Sequence, residues 1–150
     1  MPVTPAHRER LRRGFEEASP QSRYRRFLTP LSRLTDEQLD YLTNVDFTDH
    51  VAWGVETVPD GIGIAIGRWI RLKDEPEVAE AAIAVLDSYQ RQGIATALLQ
   101  LLARSARERG VKALRAEVLA DNEAVRGLLE KFEGVEILPA GNLLQVTARV

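Results

Sequence analysis

The sequence predicts a single α+β domain that spans residues 1–150, and three patterns carry this prediction. Two apolar runs, at 50–58 and 61–72, flank a turn-forming Pro-Asp-Gly and indicate successive strands. A strongly amphipathic pattern at 94–109 predicts a long helix. The run after it, at 112–119, alternates weakly in the manner of a strand. With 45% hydrophobic and 28% charged residues, the composition is that of an ordinary globular domain.

The N-terminal third carries two helix starts. Thr4 precedes Pro5, which is favoured at the first helical position, so Thr4 is expected to cap a first helix. Thr35 and Gln38 have the spacing of a capping box and predict a second, short helix. The segment between them, 19–33, contains two prolines and several serines, which favours a structured loop or a broken helix.

The segment 78–86 fits two structures, because its alanines favour a helix while its length and apolar character suit a strand. We expect a strand, because of the segment that follows it. Gly110 is expected to end the long helix. The remaining predicted elements are a last helix capped by Asp121 or Asn122 and two closing strands at 135–138 and 143–150.

Charge and residue types exclude several classes of function. The formal net charge of −2 argues against a nucleic-acid-binding protein, which normally has a basic excess. The chain has no cysteine, so disulfides, thiolate metal sites and a cysteine nucleophile are excluded. His7 and His50 lack metal-ligand spacing, and we expect His50 to lie at the surface. No segment reaches the roughly 18 apolar residues of a membrane span, and no signal peptide is evident, so we expect a cytoplasmic protein.

The segment that carries chemistry lies between the predicted strand at 78–86 and the long helix. The first amides of a helix have no partner within the helix and carry about half a positive charge. Small residues at Gly93 and Ala95 let an anion approach the main chain. A tight turn from strand to helix with no ligand is the alternative explanation of this segment.

The spacing of Gln90, Gly93 and Ala95 resembles the Q/R-x-x-G-x-G/A pyrophosphate loop of GNAT acetyltransferases. Downstream, 119–125 resembles the second signature of that family, in which Asn122 opens a helix beside the pantetheine arm of the cofactor. This resemblance implies acetyl-CoA as cosubstrate and no metal. It also implies a mixed, mostly antiparallel twisted sheet of about six strands with helices on both sides. Only Met1-Pro2-Val3 precedes the first helix, so the first strand of the family is expected to be shortened.

The resemblance also assigns the cofactor-binding groups. The strands at 78–86 and 112–119 are expected to splay apart and admit the pantetheine, while amides of 91–96 hold the pyrophosphate. The amide of Val85, on the strand before the loop, is expected to polarise the thioester carbonyl. The resulting cofactor-binding residues are Val85, Gln90, Arg91, Gln92, Gly93, Ile94, Ala95, Thr96 and Asn122.

A narrower resemblance, to the bacterial protein lysine acetyltransferases, rests on the loop 19–27 and on Ala79-Glu80 followed by Tyr89-Gln90. It implies that Glu80 is the general base that deprotonates the attacking amine. The alternative is that Glu80 is a solvent-facing strand residue with no chemical role. Glu117 on the neighbouring strand is the reserve candidate in the acceptor site. Tyr24 either shapes that site or anchors its loop in the core. Leu129 stands where many GNAT enzymes have a tyrosine general acid, so no general acid is assigned.

The expected reaction is the transfer of an acetyl group from acetyl-CoA to a primary amine, with a protein lysine side chain as the acceptor. Two other readings stay open: a GNAT enzyme that acts on a small-molecule amine, and a non-catalytic acyl-CoA-binding module. The missing tyrosine and the short first strand give the last of these some weight. Turnover on any amine would separate an enzyme from a binding module. The sequence does not indicate the oligomeric state.

Overall fold

The computed structural model describes residues 1–21, 33–120, 127 and 134–150. The three helices described in full are α1 (Arg8–Glu17), α2 (Asp36–Thr43) and α3 (Ile94–Glu108). The described strands are β1 (His50–Glu56), β2 (Gly63–Arg71), β3 (Val78–Val85), β4 (Ala113–Leu119), β5 (Val135–Ala140) and β6 (Leu143–Arg149). The segment 78–86 is therefore a strand, as expected.

The six strands form one open sheet in the order β1-β2-β3-β4-β6-β5. Neighbouring strands are antiparallel except for β3 and β4, which are parallel. Parallel neighbours need a crossover connection, and α3 provides it. The predicted mixed, mostly antiparallel sheet of about six strands is confirmed.

The first three residues extend along the free edge of β1. The amide of Val3 donates to the carbonyl of Ala52 at 3.0 Å, and the amide of Gly54 donates to the carbonyl of Met1 at 2.8 Å. Only one isolated bridge, between Pro2 and Trp53, is formed there. The shortened first strand that the sequence predicted is confirmed.

Helix α3 covers one face of the sheet. Its residues Leu102 and Ala106 are fully buried in a cluster with Val51, Trp69 and Ala79, which come from three strands. The indole nitrogen of Trp69 donates to the hydroxyl of buried Ser105 at 2.9 Å, so the polar atom of this buried side chain has a hydrogen-bond partner.

Helices α1 and α2 cover the opposite face. They meet in a second cluster of buried side chains, made by Phe15, Leu34, Leu39 and Leu42. The capping box at the start of α2 is formed as predicted, because the Gln38 amide donates to Thr35 Oγ1 at 3.1 Å and the Thr35 amide donates to Gln38 Oε1 at 2.9 Å. The helices therefore lie on both sides of the sheet.

Two predicted boundaries differ from the structure. The α-helix at the N-terminus begins at Arg8, because residues 5–7 form a 3-10 turn in which the Thr4 amide donates to Nδ1 of His7 at 2.9 Å. Strand β5 continues through Pro139 to Ala140, whereas we expected a strand at 135–138. The edge position of β5 explains this, because a proline on an edge strand removes no hydrogen bond from the sheet.

The predicted last helix, capped by Asp121 or Asn122, lies outside the described residues, as does most of the segment 19–33. Among the helices that the structure does describe, none combines the length and the apolar character needed to cross a membrane.

Candidate functional site

A cleft opens in the middle of the sheet where β3 and β4 separate. Their parallel ladder has three residue pairs and ends at Glu80 and Arg115. Beyond that point β3 stays paired with β2 as far as Val85, and β4 stays paired with β6 as far as Leu119. The two strands therefore diverge as expected, and we call the position of Glu80 and Arg115 the vertex of the cleft.

The cleft is lined by main-chain groups of β3 that have no strand partner. The amide of Leu72 donates to Val78 at 3.0 Å and the amide of Leu86 donates to Ile64 at 2.8 Å, which shows that even-numbered residues of β3 bond to β2. Because hydrogen bonding alternates along an antiparallel strand, the amides of Ile83 and Val85 point toward the cleft. The structure thus directs the Val85 amide, singled out in the sequence, into the gap.

The side chain of Gln90 closes the end of β3. Its Nε2 donates to the carbonyl of Val85 at 3.1 Å, and it also lies 3.4 Å from Oδ1 of Asp87. This contact leaves the Val85 amide open while it satisfies the Val85 carbonyl. Gln90 therefore ties the loop before α3 to the open edge of β3.

The loop after β3 ends at Gly93, where α3 starts without a side-chain cap. Gly93 is the N-cap residue of α3 and has a φ of 83°, in the left-handed region, with no side-chain cap. Arg91 has a φ of 64° in the same loop, which is uncommon for a residue other than glycine. The first bond within α3 is from the amide of Ala97 to Gly93 at 3.0 Å, so the amides of the preceding residues have no partner in the helix.

The predicted loop residues are thus brought together at this helix terminus. Arg91, Gln92 and Gly93 are exposed, and Ile94, Ala95 and Thr96 are half-buried. An ideal Cβ on Gly93 would meet no described atom within 4 Å, so the space beside Gly93 is open. A helix start with free amides and open space suits an anion.

Two carboxylates lie on the same face of the diverging strands. Glu80 and Arg115 are register partners, and Glu117 follows Arg115 by two residues, so all three side chains face the α1 and α2 side of the sheet. Glu80 and Glu117 are both exposed. Within the part of the chain that the structure describes, neither carboxylate has an ion pair or a hydrogen bond to a side chain.

The structure does not describe three residues that the family resemblance singles out. Tyr24, Asn122 and Leu129 lie outside the described residues, so their proposed roles stay predictions. Across the ranges 1–21, 33–120 and 134–150, no group of three or more His, Asp or Glu residues is arranged to hold a metal ion.

The expectation that His50 lies at the surface is wrong. His50 is buried on β1, and its Nε2 lies 2.9 Å from Nη1 of Arg68, which is also buried. Because a guanidinium only donates, His50 Nε2 accepts and the imidazole is neutral. Burial, and next the positive charge of Arg68, lower the pKa of His50 to about 4.

Arg68 is a residue that the sequence reasoning missed. Its Nη1 also donates to the carbonyl of Leu42, the next-to-last residue of α2, at 2.8 Å. The guanidinium thus joins α2 to β1 and β2 beside the strand that carries Glu80. The signal in the sequence was an arginine between Gly67 and Trp69, inside a run of apolar residues, since a charged residue in a buried strand requires a nearby acceptor.

Comparison with known proteins adds an independent observation. A model of the acetyltransferase (GNAT) family matches residues 8–134. Over 134 residues the chain is 37% identical to the acetyltransferase Pat of Mycolicibacterium smegmatis. This match covers 89% of this chain and 40% of that protein. It is 29% identical over 129 residues to an acetyltransferase of Pseudomonas aeruginosa, covering 85% of this chain and 69% of the relative.

Solved structures match the whole chain. The GNAT domain of S. lividans PAT superimposes with a TM-score of 0.91 at 30% identity, and the match covers 100% of this chain and 89% of that one. A cAMP-binding acyltransferase from Mycobacterium smegmatis matches with a TM-score of 0.69 at 32% identity, over 99% of this chain and 42% of the other. The chain thus spans about two fifths of the length of these mycobacterial relatives.

Proposed function

Because the chain belongs to the acetyltransferase (GNAT) family, we propose that it transfers an acetyl group from acetyl-CoA to a primary amine, and that the acceptor is a protein lysine side chain. The observation that carries this proposal is the open cleft between β3 and β4. The carboxylate of Glu80, which has no ion pair among the described residues, lies at its vertex, and a helix start without a side-chain cap lies beyond the C-terminal end of β3.

The cleft fits a cosubstrate that combines an amide-containing arm with a diphosphate. The unpartnered amides of Ile83 and Val85 would bind the arm as they would bind a further strand. The amides at the start of α3 would bind the diphosphate, aided by the helix dipole and by the positive charge of Arg91. Gly93 would allow the phosphate to approach the main chain, because no Cβ stands in front of it.

The chemical step follows from these positions. The neutral amine attacks the thioester carbonyl, a carbon–nitrogen bond forms, the carbon–sulfur bond breaks, and the CoA thiolate leaves. Glu80 takes the proton that the amine must lose. The Val85 amide would donate a hydrogen bond to the carbonyl oxygen as negative charge develops there.

Two features support an amine held by a protein. The carboxylates of Glu80 and Glu117 share one face of the cleft, are exposed, and would attract an ammonium group by charge. The segment Ala79-Glu80 followed by Tyr89-Gln90 resembles bacterial protein lysine acetyltransferases.

An acceptor screen tests the proposal. Release of free CoA thiol from acetyl-CoA is measured with a lysine-containing peptide, a polyamine and free amino acids as acceptors. We expect turnover with the peptide to exceed turnover with the small amines. Turnover confined to a small amine would overturn the lysine assignment. Binding of acetyl-CoA without turnover on any amine would instead show a non-catalytic acyl-CoA-binding module.

A further inference from the structure

Arg115 stands beside Glu80 at the vertex of the cleft. The two residues are register partners in adjacent parallel strands, so their side chains lie on the same face. Strands in a sheet are about 4.8 Å apart, so the side chains of Arg115 and Glu80 are close enough to form an ion pair. Opposite charges at such positions attract, yet among the described residues no ion pair joins Arg115 to Glu80.

The partner of Arg115 is Glu75, in the turn that precedes β3. Nη1 of Arg115 donates to Oε2 of Glu75 at 3.0 Å, and the two side chains are 27% and 51% exposed. In this arrangement Nε of Arg115 is buried and, within the described part of the chain, has no hydrogen-bond partner. Such a donor is uncommon, because most buried polar groups have a hydrogen-bond partner.

We propose that Glu75 is a positioning residue for acetyl transfer, which holds Arg115 away from Glu80 and so keeps the Glu80 carboxylate free for the ammonium group of the acceptor. This inference rests on the proposed role of Glu80. An arginine paired with Glu80 would occupy the position of the incoming ammonium. It would also stabilise the carboxylate charge and make Glu80 a weaker base.

A small change in free energy can move Arg115 from its observed partner, Glu75, to the alternative partner, Glu80. An ion pair between partly exposed side chains has a small net free energy. Loss of the Glu75 charge therefore releases Arg115, and Glu80 is the neighbouring carboxylate across the ladder. The released guanidinium also gains a partner, so the redistribution toward Glu80 is favoured.

The test is the Glu75→Gln variant of the full chain, assayed with acetyl-CoA and its best amine acceptor between pH 5 and pH 9. We expect kcat/KM for the acceptor to fall about three- to five-fold, the size of effect that an exposed ion pair produces. The loss should come mainly through the acceptor KM. The acid side of the pH–rate profile should move to lower pH, while the affinity for acetyl-CoA stays the same.

Glu77→Gln is the matched control. Glu77 lies in the same turn and forms a more exposed ion pair with Lys112, at 3.2 Å, whereas the Arg115 guanidinium pairs with Glu75. Its removal should leave both the profile and the acceptor KM unchanged. Adding Arg115→Gln to Glu75→Gln removes the released cation, and should return the profile to that of Arg115→Gln alone.

A Glu75→Gln protein whose pH profile and acceptor KM match those of Glu77→Gln would overturn the positioning role, whether or not Arg115→Gln folds. The Glu80→Gln variant separates this failure from a failure of the proposed function. If Glu80→Gln is inactive while Glu75→Gln has the pH profile and acceptor KM of Glu77→Gln, only the positioning role is rejected. If Glu80→Gln stays active, the proposed base and the positioning role fall together.

Discussion

At the residue scale, the buried His50 and Arg68 show how a charged side chain is accommodated on the inner face of the sheet. Arg68 donates to one carbonyl of α2 and to the imidazole of His50, and both acceptors are uncharged. Protonation of His50 would remove an acceptor and place a second positive charge beside the guanidinium. The neutral imidazole is therefore part of the folded structure.

This arrangement predicts that His50 destabilises the protein in acid. Its pKa is near 6.5 in an unfolded chain and about 4 in the folded one, so between these values the unfolded chain binds the extra proton. The contribution to stability is complete above pH 6.5 and is lost as the pH falls toward 4. The total is on the order of 3 kcal/mol, at 1.36 kcal/mol for each pKa unit.

His50→Gln keeps an oxygen that can accept from Arg68 and removes the titration. The free energy of unfolding, measured by urea denaturation between pH 7.5 and pH 4, should fall less steeply in the variant than in the unmodified protein. Because the carboxylates are present in both proteins, most of their titration cancels in the comparison. Parallel curves for the two proteins would contradict a role for His50.

At the element scale, Gly93 at the start of α3 has two roles, one in the backbone conformation and one in the proposed binding of the diphosphate. Gly93 has a φ of 83°, which disfavours any side chain, and an open space in front of it, which a Cβ would enter. Gly93→Ala should therefore cost about 1 kcal/mol of stability through its backbone. It should also weaken acetyl-CoA binding, because the methyl group stands where the diphosphate meets the amides.

Gly110→Ala is the control for the backbone effect. Gly110 lies just beyond the other end of α3, with a φ of 78° and no atom within 4 Å of an ideal Cβ. Both variants should lose similar stability in thermal unfolding, and only Gly93→Ala should lose affinity in calorimetry. Equal affinities for acetyl-CoA in the two variants would remove the anion site from this loop.

The elements themselves were largely predictable, because local patterns determine them. The capping box at Thr35 and Gln38 and the periodicity of 94–109 gave helices close to their observed ends. The strand at 78–86 was not fixed by periodicity, and its assignment depended on the loop that follows. The extension of β5 through Pro139 was missed, since an edge position is a property of the sheet and not of the segment.

At the scale of the whole molecule, the proposed function depends on the point where the β3–β4 ladder ends, because the cleft opens there. The divergence of β3 from β4 was expected from a family resemblance, whereas composition and spacing alone could not indicate it, because strand pairing is a long-range property. The same limit applies to the pairing of Arg68 with His50 and of Arg115 with Glu75. Each joins residues from different elements, and neither residue of a pair identifies its partner in the sequence.

The open ladder predicts an alternating pattern of amide hydrogen exchange along β3. The amides of Ala82 and Ala84 bond to β2 and should be protected with or without acetyl-CoA. The amides of Ile83 and Val85 should exchange faster in the free protein and become protected when acetyl-CoA is added. Uniform protection of all four amides in the free protein would show that the cleft is closed.

The central claim is that Glu80 is the general base of an amine acetylation, and the turnover of Glu80→Gln tests it most directly. Glutamine keeps the shape of the side chain and removes the proton acceptor, so kcat should fall about 10²–10⁴-fold at neutral pH while acetyl-CoA binding is retained. Part of the rate should return at high pH, where more of the acceptor amine is already deprotonated. Glu117→Gln, from the same face of the cleft, should lose far less. A Glu80→Gln protein that keeps more than roughly half of its activity on its best acceptor would contradict the account.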